Sequence, residues 1–344
     1  MTTELRPGPV PLSRVWNARK VIAEDLTGED LGDILELHSD AYAWWVLPRG
    51  DGYGEGEVRR MAESLGLDRL ALRDVLAADR RAKFEMVGTA RLVMTNAITL
   101  DQERVEVHVH PVSVVVTERA LICLVEDTPG FRPASLLAAH ADTLAGGGVE
   151  AALQWLMTAA INTYENTVQW LEDASDDLAD QLFDERPLSK PQQLRAFRLR
   201  TALSQVRRLT EPMRTVLADV LASPASATHG RKATGSTQVQ VHRRWTLISE
   251  HHQRVANAAD ALREALSSIF DTSLALSDLR MNEIMKKLTG WAAIIAVPTL
   301  ISGFVGMNVN FPLDGTTAGF WFYFALMLVT AVVLYVVYKL KQWI

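Results

Sequence analysis

Cysteine occurs once in the 344 residues, at Cys123 inside the apolar stretch ALICLVE. A lone thiol excludes a disulfide framework and fits a reducing compartment. In such a stretch it reads as a small buried hydrophobe rather than a nucleophile. Positive charge is not in excess. The 35 Lys and Arg against 41 Asp and Glu give a formal net charge of -6, which argues against a nucleic-acid partner. Gly-rich phosphate loops, nucleophile elbows and catalytic metal motifs are missing, so enzymatic activity is not expected. The opening MTTELRPGPVPLS has no apolar core, so it does not read as a signal peptide; residues 1–13 read as a disordered lead.

What the chain has is apolarity concentrated at one end. Residues 288–307 carry no charged side chain. Twenty or so residues at about 1.5 Å per residue reach about 30 Å, the hydrocarbon thickness of a bilayer. This span contains Thr289, Pro298, Thr299, Ser302, Gly303 and Gly306 and ends at Asn308. Polar and helix-loosening groups at that depth need protein or water to satisfy them. Small residues also pack plain anchor helices, so anchor and pathway both remain open on composition. A second uncharged span covers 318–338, after the loop 309–317. Lys286 and Lys287 precede the first span and Lys339 and Lys341 follow the second, whereas the loop has only Asp314. The positive-inside rule then puts both termini in the cytoplasm of a plasma-membrane protein.

Ahead of the spans, residues 14–147 read as an α/β domain. Strands are expected at 43–47, 82–87, 91–98, 105–110, 112–116 and 121–125, and two short helices at 55–79. His108 and His110 share a strand face and could bind a metal, but no third ligand is near them in sequence. His251 and His252 fall on different faces of a helix. Residues 148–238 read as two long helices. The first is acidic (Glu172, Asp173, Asp176, Asp177, Asp180, Asp184, Glu185) and the second basic (Arg195, Arg198, Arg200, Arg207, Arg208, Arg214). Opposite charges suggest a hairpin with complementary faces, its acidic side concentrating cations. Residues 239–287 then read as a stalk helix running without interruption into the first span, about 65 residues in all.

Steps of three and four along that helix give one stripe: Asp271, Ala275, Asp278, Asn282, Met285, Leu288, Ala292, Ala296, Thr299 and Gly303. It is acidic and amide-bearing first, narrows to Met and Leu, and then turns small. One helix makes no pore. Identical copies about an axis would make each position a ring: carboxylates attract cations, and Met or Leu gates by dewetting. An amide ring at Asn308 suits hydrated Mg²⁺, which sheds water reluctantly.

Gly306-Met307-Asn308 at the outer end of the first of two terminal spans resembles the signature of the CorA family of divalent-cation channels. NEIMKKLT before the span, Pro298, Gly303 and the Lys-rich tail ending near Trp343 are similar too, as is the pattern of LALRDVLAADRRAKFEMVGTARLVMTNA. The resemblance covers about residues 40–344. It implies a homopentameric funnel with an α/β cytoplasmic domain, in contact with lipid and taking up Mg²⁺, and with it Co²⁺ or Ni²⁺, under the membrane potential, without a cofactor. Gly306, Met307 and Asn308 would form the selectivity filter. Asp271, Asp278, Asn282, Met285, Leu288, Thr299 and Gly303 would line the pore, Met285 and Leu288 as its gate, and Lys286, Lys287, Lys339 and Lys341 would form a basic collar. Three departures stand out. Leu247 replaces an Asp that binds regulatory Mg²⁺ in some members, with Glu250 the nearest substitute. Asp314 replaces a loop Glu, and Ala296 is smaller than the Met of some members. A Zn²⁺ transporter on the same scaffold, proton-coupled or not, stays open as an alternative.

Overall fold

The computed structural model describes residues 12–17, 19–26, 28–49, 81–182, 187–223, 235–307 and 316–343. The expected helices at 55–79 lie outside these residues. So do Asn308, Asp314, Asp184 and Glu185.

A seven-stranded sheet is built from β1 (Ser13–Asn17), β2 (Lys20–Glu24), β3 (Tyr42–Pro48), β4 (Lys83–Val87), β5 (Ala90–Asp101), β6 (Glu106–Val116) and β7 (Ala120–Val125). Their order is β2-β1-β3-β7-β6-β5-β4. Only β3 and β7 pair in parallel; the other pairs are antiparallel. Strand alternation puts Trp45, Leu92, Met94, Ile122 and Leu124 into one core with Leu31 and Leu35 of α1 (Gly28–Leu37). The alternate residues Trp44, Val93, Val114 and Cys123 are buried as well. A sheet covered on both faces explains why these strands read as nearly continuous apolar runs.

Several elements differ from expectation. Ser13 begins β1 and Leu12 is hydrogen-bonded beside it, rather than both lying in a disordered lead. Leu12 N–H donates to Asp25 Oδ1 at 2.8 Å, and Leu26 N–H to Ser13 Oγ at 2.7 Å. The hairpin β1–β2 and helix α1 had no strong period to announce them: β2 is a five-residue edge strand with exposed Val21 and Ile22. The two strands expected around Pro111 are one, β6. Pro111 pairs with Asn96 on β5 but lies beyond the β6–β7 ladder, which begins at Ser113. One side of β6 is therefore open there, and a missing N–H need not break a rung.

After α2 (Pro133–Ala139) come four long helices: α3 (Ala141–Leu182), α4 (Lys190–Ala222), α5 (Gly235–Val305) and α6 (Thr317–Leu340). Helix α3 breaks at Gly148, whose φ of 62° and ψ of −156° suit glycine and few other residues. Helix α6 begins one residue before the expected span and runs through Lys339, so that lysine belongs to the helix and not to a tail.

The chain divides into two compact units, residues 1–178 with 190–267, and 179–189 with 268–344. The sheet, α3 to residue 178, α4 and α5 to residue 267 fall in one unit. Side chains from sheet and helices account for this. Thr95 Oγ1 on β5 donates to Met213 Sδ on α4 at 3.2 Å. Tyr164 Oη on α3 donates to Asn96 O at 3.1 Å, and Thr163 Oγ1 accepts from Ile98 N–H at 3.0 Å.

The expected charge complementarity between α3 and α4 takes another form. Glu172, Asp173, Asp176, Asp177 and Asp180 are exposed. The arginines of α4 pair elsewhere, Arg207 with Asp260 of α5 at 3.4 Å and Arg214 with Glu211 of its own helix at 3.0 Å. The two helices bury apolar stripes, so their charged faces point outward rather than at each other. In the second unit, Leu188 N–H of the segment between α3 and α4 donates to Ser273 Oγ of α5 at 3.0 Å.

Candidate ion pathway

Helix α5 is 71 residues long and continuous through Gly290 and Pro298. At about 1.5 Å per residue it extends about 107 Å. Asp271, Asp278, Asn282, Met285, Leu288, Thr299 and Gly303 all lie on this one element and are all exposed on it. Met285 and Leu288 expose 51% and 62% of their surface. Apolar side chains that exposed, on a helix that also presents carboxylates, need a partner outside the chain or a lipid phase.

Within the span, Ala292, Ala296, Thr299 and Gly303 line an open groove of about 780 Å³ with Ile295, Leu300, Phe304 and Met307. Small residues make the hollow. Thr299 is its hydroxyl: Oγ1 donates to Ile295 O at 2.8 Å, which leaves the oxygen lone pairs as the polar feature of an apolar wall. Ser302 Oγ likewise donates back, to Thr299 O at 3.1 Å. Such bonds satisfy hydroxyls where no water is assured. The helix closes through Gly306 N–H to Ser302 O at 2.9 Å and Met307 N–H to Phe304 O at 3.2 Å. A Cβ at position 306 would sit 3.2 Å from Ser302 O, so a side chain there would crowd the turn that leads to Asn308.

Trp291 of α5 meets Tyr335 of α6 with ring centroids 6.4 Å apart. Lys287 lies four residues before Trp291, and Lys339 lies four after Tyr335, with its ammonium 5.8 Å from the Tyr335 ring centroid. One aromatic contact thus brings the lysine-bearing end of α6 near the Lys287 turn within α5. Lys287 also pairs with Glu283 at 2.7 Å, which holds that carboxyl below its usual range. Lys341 caps α6, and Trp343 stacks on Tyr338 at 5.6 Å and 8°.

Glu250 and Leu247 are both exposed on α5, Leu247 by 52%. Beside them, His251 Nε2 lies 3.1 Å from Glu165 Oε2 of α3. His252 is buried, which lowers its imidazole below the usual range. Among the described residues no three His, Cys, Asp or Glu side chains are grouped to hold a metal. His110 is engaged otherwise, Nε2 3.0 Å from Thr99 Oγ1 and Nδ1 3.4 Å from Glu126.

One cluster escaped the sequence reading. Arg91 Nη2 on β5 and Glu150 Oε2 on α3 form an ion pair of 2.6 Å with side chains 1% and 5% exposed. Trp245 Nε1 of α5 donates to the other carboxylate oxygen at 2.6 Å. Glu150 thereby joins sheet, α3 and the first part of α5. Its signal in the sequence was faint: a single charge inside each of two apolar runs, ARLVM and GGGVEAAL, of opposite sign.

Comparison with known proteins agrees with this architecture. The family model for CorA-like Mg2+ transporter proteins matches residues 53–340. The chain is 24% identical over 318 residues to the cobalt/magnesium transport protein CorA of Thermotoga maritima, covering 92% of this chain and 87% of that one. Over 83 residues it is 41% identical to the protein of the same name from Methanocaldococcus jannaschii, 24% of this chain and 26% of that one. The complete structure of the CorA magnesium transporter from Methanocaldococcus jannaschii superposes with a TM-score of 0.73 at 19% identity, over 98% of this chain and 100% of that one. A sheet-bearing N-terminal part, long helices and two apolar C-terminal helices are thus matched end to end, and the chain belongs to the CorA-like Mg2+ transporter family.

Proposed function

We propose that this protein is a homopentameric channel for Mg²⁺ and Co²⁺ in the plasma membrane, with both termini cytoplasmic, and not an enzyme. The observation that carries the reading is α5, which presents acidic, amide, thioether and apolar positions outward in that order on a helix that becomes the first span. Five such helices about one axis would turn the stripe into stacked rings. Asp271 and Asp278 gather divalent ions at the inner mouth. Asn282 passes them to Met285 and Leu288, whose rings close by dewetting. Above them the small side chains of Ala292, Ala296, Thr299 and Gly303 would leave room for an ion with its water. Gly306, Met307 and Asn308 form the outer ring, where amide oxygens hold the hydration shell instead of stripping it.

Lys286, Lys287, Lys339 and Lys341 surround the inner mouth outside the pathway. Their charge faces phospholipid headgroups and opposes free entry of cations while the gate is shut. Glu250 is the residue on α5 that could bind regulatory Mg²⁺ where Leu247 cannot. An inside-negative potential drives uptake: each charge gains about 2.3 kcal/mol per 100 mV, so a divalent ion gains about 4.6 kcal/mol.

The test is flux into liposomes containing the purified chain and a fluorescent indicator, at set potential, for Mg²⁺, Co²⁺, Ni²⁺ and Zn²⁺. Mg²⁺ and Co²⁺ should enter in proportion to inside-negative potential and without regard to a pH gradient. Entry of Zn²⁺ alone, accelerated by a pH gradient, would replace this reading with that of a Zn²⁺ transporter on the same scaffold. A monomer in both detergent and lipid would end the ring hypothesis.

A further inference from the structure

Away from α5, a cleft of about 440 Å³ lies between β6 and α4, lined among others by His108, His110, Glu126, Gln205 and Arg208. Register explains how the strand residues converge. His108 faces Thr99 across the β5–β6 ladder, and His110 sits diagonally on the same face. Glu126 follows the last residue of β7. Gln205 and Arg208 are three apart on α4, so they project from one side of that helix.

The cleft holds opposite charges that do not neutralise each other. Glu126 touches His110 through Oε2, and its Oε1 is not used in that contact. His110 has both ring nitrogens committed, to Glu126 and to Thr99, so it holds the carboxylate in place rather than serving as a contact itself. Arg208 commits Nε to Ser204 O at 3.3 Å. Among the described residues no carboxylate pairs with it, unlike Arg207 and Arg214 of the same helix, which have Asp260 and Glu211. The terminal guanidinium nitrogens of Arg208, the Gln205 amide and the exposed His108 imidazole supply donors; Glu126 supplies an acceptor. A concavity of this size with a few convergent polar groups suits a small metabolite.

We propose that this cleft binds a small carboxylate that also carries a hydroxyl or amine, its carboxylate on Arg208, Gln205 and His108 and its donor on Glu126. A bare dicarboxylate would satisfy the guanidinium but set a methylene, which has no donor, against Glu126. A hydroxyl or ammonium in that position gives Glu126 a charge-assisted hydrogen bond that a methylene cannot.

L-Malate, L-aspartate and succinate share one four-carbon dicarboxylate skeleton with hydroxyl, ammonium or hydrogen at the second carbon. Titration calorimetry of the full chain in detergent micelles, free of divalent cations, reads all three. Malate or aspartate should bind saturably and roughly tenfold or more tighter than succinate, and which of the two is tighter tells a hydroxy acid from an amino acid. Arg208→Gln should lose binding of all three, Glu126→Gln should reduce the gap over succinate to less than about threefold, and Arg207→Gln should bind like the parent. Arg208 is exposed, so its loss does not threaten the fold, and a matching thermal melt verifies that. Absence of saturable heat with any of the three, equal affinity for all of them, or unchanged affinity in Arg208→Gln would overturn the proposal.

Discussion

The buried polar cluster around Glu150 and the exposed stripe of α5 treat charge in opposite ways. Arg91, Glu150 and Trp245 exchange two contacts of 2.6 Å inside one chain and are almost wholly hidden. Asp271, Asp278 and Asn282 stand exposed on one helix, followed by exposed Met285 and Leu288. A charge that serves the fold is paired within its own chain, because a buried unpaired charge is costly. A charge that serves an ion or a neighbouring copy has to be left over by the chain that carries it. The difference separates side chains that the fold encloses from those it leaves exposed.

The sharpest way to break that comparison is at its outer end. Asn308→Ala should reduce liposome uptake of Mg²⁺ to background while the oligomer, measured by light scattering in detergent, persists. Normal uptake would show that the amide serves only its own chain. Next in size is the opposite region. Glu150→Ala strands Arg91 in the core and removes the acceptor of Trp245, and should cost about 3–5 kcal/mol of stability in a denaturant melt of the full chain. The paired replacement Arg91→Met with Glu150→Leu removes both charges and should recover most of that loss. If the single and double variants are equally unstable, shape rather than charge pairing governs the site.

The exposed region was far more legible in the sequence than the buried one. A period of three and four, a run free of charge, and a Gly-Met-Asn triplet are local patterns, the first two carried by α5 and the third following it in sequence. The Glu150 cluster joins positions 91, 150 and 245, which only the fold brings together. The edge hairpin β1–β2 was hidden because its two strands are five residues each. The split predicted at Pro111 failed because proline breaks a strand only where its N–H would be needed. The two histidines of β6 were visible as a pair, but the partners of His110 lie elsewhere, Thr99 on β5 and Glu126 just after β7.

Leu288→Gly sharpens the comparison from the pathway side. If the exposed Leu288 side chains form a hydrophobic ring, glycine wets the constriction and resting leak of Mg²⁺ should rise severalfold in liposomes, with the melting temperature nearly unchanged. Unchanged leak would assign the exposed leucine to lipid or to packing between copies, and the gate to Met285 alone.

The smallest effect expected is none at all, and it makes the single cysteine useful. Cys123 is fully buried on β7, and burial pushes its thiol up to about 12. Only the thiolate attacks a maleimide or iodoacetamide, so at pH 7.5 the native protein should remain unlabelled for hours and react only when denatured. A cysteine placed at exposed position 285 by Met285→Cys needs no removal of Cys123 and should label within minutes. If the stripe faces a common pathway, divalent cation or neighbouring copies will slow that labelling in the assembled protein and not in a dissociated one. Rapid labelling of the parent protein would instead mean that the sheet core opens to solvent, and the contrast between a sealed interior and an outward-facing helix would fail at its better-packed end.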